Sequence, residues 1–455
     1  MRILDFFNET FSLEIVTNHD LRSSPSREEL VSTLRLLFPH LSPSDEALSR
    51  TRGGRIAGEV QLALVNPKSY ERSRNYLAGD VTRLSAYVRP GVLTIAEVRD
   101  QLLGCVANPQ DASKLINELA WRDYWQRVYS QIGEGVWQDR EQYNTGYSAK
   151  DYATALPADI PAGTTTLACI DGFAHELTET GYLHNHARMW FAAYVVHWRK
   201  TRRQAGARWF LEHLLDGDPA SNNSSWQWVA STFASKAYLF NKENLERYTN
   251  GVYYRNCPHS KARTCPFDLD YEGLEQTFFP RLKFAADTTV MPTSPKPFAA
   301  SIVRQRSEEP SGRPLLWVHA DSLNPKSPML LAHPDAPAVF IWDIDWLRGN
   351  RLALKRIVFV AECLQEIPGT IELLSGDLAD QLLLAAKTSG ADYILAQQTP
   401  DPCLRAAALA TEQHLPIVWY DPPPFVEEMG RFELKRFSRY WQRAQSSAMK
   451  MTIPS

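Results

Sequence analysis

Two carboxylates flank a glycine in LLDGDPASNNSSWQWVAS, residues 214–231, where Asp216 and Asp218 are followed by Asn222, Trp226 and Trp228. Acids, amides and indoles set into a mostly apolar stretch suit a bound polar heterocycle, because each buried polar group needs a partner. Upstream, NELAWRDYW at 117–125 places Glu118, Trp121 and Arg122 at i, i+3 and i+4, on one helix face. Together they can hydrogen-bond a base edge, stack on it and neutralise a phosphate. The same spacing also serves an amphipathic stripe with a local ion pair. TGYLHNHARM at 180–189 sets Asn185 and Met189 one turn apart with Arg188 beside them. A buried Arg demands a carboxylate, and the tract at 214–231 supplies one. In DVTRLSAYVRPG at 80–91, Thr82 and Ser85 precede a turn. Hydroxyls there can serve phosphate oxygens, or simply cap a helix.

Helices must carry most of these groups. Residues 1–285 read as a helical domain, with helical patterning from residue 27 on. ASKLINELAWRDYWQRVYSQI spaces Leu115, Leu119, Trp121 and Val128 among polar residues at helical intervals. DGFAHELTETGYLHNHARMWFAAYVVHWRKTRR breaks at Thr180-Gly181 and then continues as one long, almost wholly apolar helix. Its tail, Arg199, Lys200, Arg202 and Arg203, is expected to return to solvent.

Residues 286–312, rich in Ser, Pro and charge, read as a linker. From 313 to 430 short apolar runs (PLLWVHA, AVFIWDI, TIELLSG, DYILA, PIVWYD) alternate with helical patterns. That alternation predicts an α/β domain with a doubly wound parallel sheet. No G-x-G-x-x-G follows its first strand. The tail 431–455 reads as a basic amphipathic helix, docked on the fold in preference to serving as a partner-binding arm.

At 455 residues, 44% hydrophobic and 22% charged, the composition is that of a soluble globular protein of two domains. A net charge of -3 makes no global demand for nucleic acid, so any DNA-binding reading rests on local basic groups. Six scattered cysteines argue against a secreted disulfide scaffold. No cationic start precedes a long apolar run, and no stretch approaches 18 apolar residues. The expectation is a cytoplasmic, membrane-free monomer.

The four segments resemble, in the same order, the flavin-binding domain of DNA photolyases and cryptochromes, strongly over roughly residues 65–245. DGDPASNNSSWQW is the most specific of them. The resemblance implies FAD as cofactor, held by Tyr70, Thr82, Leu84, Ser85, Leu115, Asp216 and Asp218, with Arg188 paired to Asp216. It places Asn222 against the flavin ring. It assigns Glu118, Trp121, Asn185, Met189 and Trp228 to the pocket for a flipped-out pyrimidine dimer, with Arg122 on the same face and Arg74 on a DNA phosphate. Enzymes acting on the (6-4) photoproduct carry His where this chain has Asn185 and Met189, so the pocket resembles the cyclobutane-dimer type.

Trp226 and Trp198 match two electron-relay indoles once TRRQA is counted as an insertion, and Trp137 is a candidate third. The chain departs from the pattern at His186, where the family often has Arg, and at Pro219, Ser224 and Ser225. Cys169, Cys257 and Cys265 resemble three of the four cysteines of iron–sulfur relatives, but Tyr254 stands where a C-x-x-C partner would be. Ordinary thiols are the favoured expectation, since a cluster on three thiolates needs an unusual fourth ligand. The α/β half resembles the family's antenna domain, which usually comes first, so the order looks circularly permuted. An antenna chromophore is implied without its identity. The implied function is light-dependent repair of cyclobutane pyrimidine dimers in DNA by reduced FAD; the alternative is a blue-light photoreceptor without repair.

Overall fold

The computed structural model describes residues 16–17, 21–22, 26–39, 47–279, 309–427, 429–430, 434 and 436–451. Most of the 286–312 segment lies outside them. The strand β1, Val16–Thr17, and the helix α1, Arg27–Leu37, come first. The helices of the helical half that frame the site are α2, Ser113–Ile132; α3, Ala168–Thr180; α4, Asn185–Ala193; α5, Arg203–His213; and α6, Pro219–Ala230. α2 buries Leu115, Ile116, Ala120, Tyr124 and Val128 along one face and stops at Gly133. α3 ends on Gly181 at φ 69, a left-handed C-cap that glycine adopts at least cost. α6 lies at the centre, packed against α2, α4 and α5.

The long apolar helix expected after Gly181 does not run on. It widens into a π-turn over Tyr194–Trp198, and the chain restarts as α5 at Arg203. The basic tail stays in the fold. Arg203 is fully buried on Asp139 at 2.7 Å, and Arg199 pairs with Asp159 at 2.8 Å. Four cations within five residues read as a solvated end; the half-buried carboxylate that holds Arg203 lies 64 residues away.

The α/β half carries β2, Pro314–Trp317; β3, Ala338–Trp342; β4, Ile371–Ser375; β5, Tyr393–Gln397; and β6, Ile417–Tyr420. These five are parallel in the order β4-β3-β2-β5-β6, and β1 adds an antiparallel edge to β4. β3 and β5 are buried along their whole length, as strands covered on both faces must be. The covering helices include α7, Leu354–Gln365; α8, Leu378–Ser389; and α9, Pro402–Thr411. The last helix, α10, Phe437–Ala448, returns to the helical half and buries Tyr440, Ala444 and Ala448, packing on α2. None of the described helices is long and apolar enough to cross a membrane.

One apolar core joins the halves, bringing Leu84, Tyr87 and Leu93 against Leu354, Phe359 and Leu364. The start of the chain sides with the α/β half, contrary to the boundary at 285. Arg27 pairs with Glu362 on α7 at 2.9 Å, the Gly53 N–H donates to Glu362 at 2.7 Å, and the Arg22 guanidinium donates to the Gln365 carbonyl at 2.6 Å. Glu362 is 6% exposed and has three partners, since Arg52 also lies 3.0 Å away. Removing its carboxylate leaves a half-buried Arg27 and a buried N–H unmatched. Glu362→Ala is therefore expected to destabilise the protein by about 3 kcal/mol. An unchanged urea midpoint would show that this strap adds nothing.

Candidate functional site

The turn Leu214–Asp218 links α5 to α6 and presents both carboxylates. Its backbone is tied by Leu215 N–H to the Gly181 carbonyl at 2.9 Å and Gly217 N–H to the Leu214 carbonyl at 2.9 Å. Asp218 caps α6: its carboxylate accepts from the Ala220 N–H at 3.0 Å and the Ser221 hydroxyl at 2.7 Å. Two side chains of α2 complete its shell, Arg122 at 2.8 Å and Gln126 at 2.7 Å. Burial pushes this carboxyl up, but Arg122, Arg89 and the Ser221 hydroxyl outweigh it and hold it below the usual range. Asp216 accepts from Arg188 of α4 at 3.0 Å, as expected, and Arg188 also donates to the Leu183 carbonyl at 2.8 Å. Each carboxylate thus meets an arginine from a different helix.

Arg122 is accordingly not free for DNA; the sequence signal for its role was ambiguous because the buried acid that claims it lies 96 residues on. Glu118 pairs with Lys114 at 2.8 Å on the same helix. Its field, after burial, holds the Tyr70 phenol above its usual range. Leu84 and Leu115 are buried in the shared core, with Tyr70 and Trp121 packed against it. Thr82 accepts through its carbonyl from Gln61 at 3.0 Å, and Ser85 opens the short helix Ser85–Val88. The Asn222 amide donates to the Ala207 carbonyl at 3.0 Å.

The residues assigned to the dimer pocket divide. Asn185 and Met189 do meet, amide nitrogen to sulfur, at 3.8 Å at the start of α4. Trp228 packs on Tyr238, and the Arg74 guanidinium donates to the Glu71 carbonyl at 2.7 Å. Trp121 is different: Phe437 of α10 stacks flat on it, rings 3.8 Å apart and 9° from parallel. One face of the expected stacking platform is covered by the chain's own tail. His186 is pulled down to about 4 by burial and by Arg74, so at neutral pH it offers no positive charge to a phosphate.

Trp226 is buried, with Phe210 at 5.1 Å and 80°. Trp198 sits among Phe240, Phe267 and Phe278 instead, in the same core but in a different aromatic neighbourhood. Trp137 lies under the Arg208 guanidinium. Cys169 and Cys257 are buried and Cys265 is partly so; burial, then Cys265 and Cys257, push the Cys169 thiol up. Among the described residues, no three His, Cys, Asp or Glu side chains are grouped to hold a metal ion.

Sequence reasoning missed a chamber between the halves, at the carboxyl ends of β2, β3 and β5, where strand order reverses. Trp317, Phe340, Trp342 and Trp346 give it apolar walls, and Arg89, Asp321, Arg356 and Asp401 add charge. Open parallel sheets bind ligands at such a switch point. Arg89 pairs with Asp321, which also accepts from Thr399 at 2.5 Å. Asp401 is pushed up to about 6, by burial and then by Asp321. The clue available was the alternating pattern alone, since these residues are scattered along 300 positions.

Two carboxylates, each held by an arginine, thus stand at the edge of an apolar helical core. Residues 115–255 match the FAD binding domain of DNA photolyase. Over that stretch and its flanks the chain is similar to curated photolyases and to a cryptochrome. The deoxyribodipyrimidine photo-lyase of Streptomyces griseus is 34% identical over 193 residues, 40% of each chain. That of Escherichia coli K12 is 30% identical over 241 residues, 50% of this chain and 49% of the relative. A putative mitochondrial cryptochrome DASH of Neurospora crassa is 26% identical over 291 residues, 53% of this chain and 38% of the relative. The chain thus spans less than half the length of these relatives. Among solved structures, an archaeal photolyase of Sulfolobus tokodaii with two FAD molecules aligns at a TM-score of 0.41 and 23% identity, over 51% of this chain and 56% of that one. The residues that the resemblance assigns to the cofactor have chemistry that suits it: carboxylates can accept from N–H and hydroxyl donors, the Thr82 and Ser85 hydroxyls can donate to phosphate oxygens, and Leu84 and Leu115 can cover an apolar ring edge.

Proposed function

We propose that this chain binds FAD and uses light to split cyclobutane pyrimidine dimers in DNA. The carrying observation is the double carboxylate–arginine arrangement around Gly217, inside the stretch that matches a photolyase flavin domain. Reduced FAD, when bound, supplies an electron on excitation by blue or near-UV light. The chain's residues do the rest. Asp216 and Asp218, fixed by Arg188 and Arg122, orient the cofactor together with Tyr70, Thr82 and Ser85. Leu84 and Leu115 exclude water, and Asn222 is the amide that would face the flavin ring. Glu118, Asn185, Met189 and Trp228 receive the flipped dimer, and Arg74 meets a phosphate. Asn185 and Met189 have no titrating proton to give, which suits a dimer-splitting step that needs none. Trp198 and Trp226 are the indoles that would supply electrons to the flavin were it bound in its oxidised form. The chamber between the halves takes an antenna chromophore, and the order of the halves is a permutation of the family's arrangement.

A second reading rests on the Trp121–Phe437 stack: a blue-light receptor, whose tail occupies the place a dimer needs. An irradiated thymine-dimer oligonucleotide, incubated lit and dark with flavin-reduced protein, separates the two. Repair requires dimers to disappear in light alone and damaged DNA to bind more tightly than intact DNA. Persistent dimers and equal binding leave the receptor reading standing.

A further inference from the structure

The helical half does not shape the flavin loop by itself. The Gly217 carbonyl lies between the two carboxylates, and two guanidinium groups donate to it. Arg89 of the helical half reaches it at 3.1 Å, and Arg356 of α7, in the α/β half, at 3.0 Å. Arg356 also donates to the Leu211 carbonyl at the end of α5. Beside it, the Ala353 N–H donates to the Glu212 carbonyl at 3.0 Å. The first turn of α7 is thus bonded to the segment that delivers Asp216.

Three facts make this more than domain docking. First, the Gly217 carbonyl belongs to the peptide that carries the Asp218 N–H. Its orientation fixes the φ of Asp218, which is -114° where Asp218 caps α6. Second, among the described residues Arg356 forms no ion pair; both its hydrogen bonds go to backbone carbonyls. Burial, with Arg89 adding to it, pulls its guanidinium down to about 9, and Asp216 supplies the opposing charge. A half-buried cation without a carboxylate in contact is costly to keep for docking alone. Third, Gly217 is small because Arg356 is there. A Cβ at 217 would lie 2.8 Å from the guanidinium carbon, and Gly217 does not have the positive φ that would otherwise call for glycine.

We propose that Arg356 is a positioning residue for the flavin site: from the α/β half, jointly with Arg89, it holds the Gly217 carbonyl and so sets where Asp216 and Asp218 stand. This rests on the flavin reading above. It makes the α/β half a working part of the cofactor site, and it ties the chamber, which Arg89 and Arg356 also line, to the flavin loop.

The test titrates the flavin-free 455-residue chain with FAD in the dark, reading Kd by fluorescence and the visible circular dichroism of the bound flavin. Arg356→Gln is expected to weaken FAD binding about tenfold or more, the scale of a lost charge-assisted hydrogen bond, and to alter the dichroism. Arg356→Lys recovers part of both. Gly217→Ala, whose methyl displaces only the end of a flexible side chain, reproduces Arg356→Gln with little loss of thermal stability. Glu362→Gln, which weakens the strap elsewhere on α7, lowers Tm but leaves Kd and dichroism unchanged. The clamp is overturned if Arg356→Gln and Gly217→Ala keep Kd within about twofold with an unaltered spectrum. It is equally overturned if Glu362→Gln weakens FAD as much as Arg356→Gln does. Asp216→Ala tells the two levels apart. Wild-type affinity in that variant removes the flavin reading and the clamp with it; lost affinity there, with none lost in Arg356→Gln, removes the clamp alone.

Discussion

Asp218→Ala is expected to cost about 3–5 kcal/mol of stability and, on the proposed flavin reading, to abolish flavin retention. The carboxylate is 4% exposed and makes contacts of three kinds at once. It caps α6, a role whose loss costs about 0.5–2 kcal/mol. It neutralises Arg122 and receives Gln126, and stripping a half-buried cation of its partner carries the larger share of the total. Asp218→Asn keeps cap acceptors but not the charge, so it separates the contributions. The sign of the pH dependence follows from the depressed carboxyl. Its stabilisation is fully present above the unfolded-state value of about 3.9 and drains away as pH falls through the lower folded-state value. Urea midpoints measured at pH 7 and down to about pH 3 should therefore fall more steeply in the wild type than in Asp218→Asn. Parallel acid profiles for the two would mean that Arg122 and Arg89 do not hold the carboxylate charged.

On the electron-relay reading, Trp226→Phe slows photoreduction of bound oxidised flavin by at least about tenfold, equivalent to about 1.4 kcal/mol of barrier. Trp226 is the buried indole of α6, lying against Gly206, where an added Cβ would come within 2.2 Å of its ring, and meeting Phe210 edge-on. Phenylalanine keeps an aromatic ring in that slot but removes the readily oxidised indole. Flavin content should stay unchanged, because the substituted ring is not one of the groups assigned to hold the cofactor. Steady illumination with a soluble reductant, followed by loss of the oxidised flavin band, reads the rate. An unchanged rate moves the relay to Trp198, Trp209 or beyond.

The clustering of Asp216, Asp218, Asn222 and Trp226 was legible because it is local: they lie within eleven residues on a turn and one helix. Its Arg188 partner was legible too, since a guanidinium in an apolar helix needs an acid. The parallel sheet followed from alternating strand and helix patterns. What the residue order concealed was tertiary pairing over long separations. Arg203 looked solvated because charge beside charge reads as surface, yet a single acid at 139 draws it inside. Phe437 reads as one apolar position on an amphipathic helix, and nothing local says that it will lie flat on Trp121. Arg356 sits in LKRIVFVAECLQ as an ordinary polar residue of a helix; only the fold brings Gly217 to it.

The edge of the sheet has a consequence for synthesis. Arg22 bonds to a carbonyl 343 residues further along, and Val16–Thr17 pair with β4. At about 5–20 residues per second, the start of the chain waits roughly 20–70 s on the ribosome before that partner emerges. The delay runs in the protein's favour. An open strand edge is a template for pairing with other chains. By the time β4 appears, the segment that shields its outer edge has already been made and is tethered to the same molecule. The nascent sheet never depends on residues still to be translated to close that side.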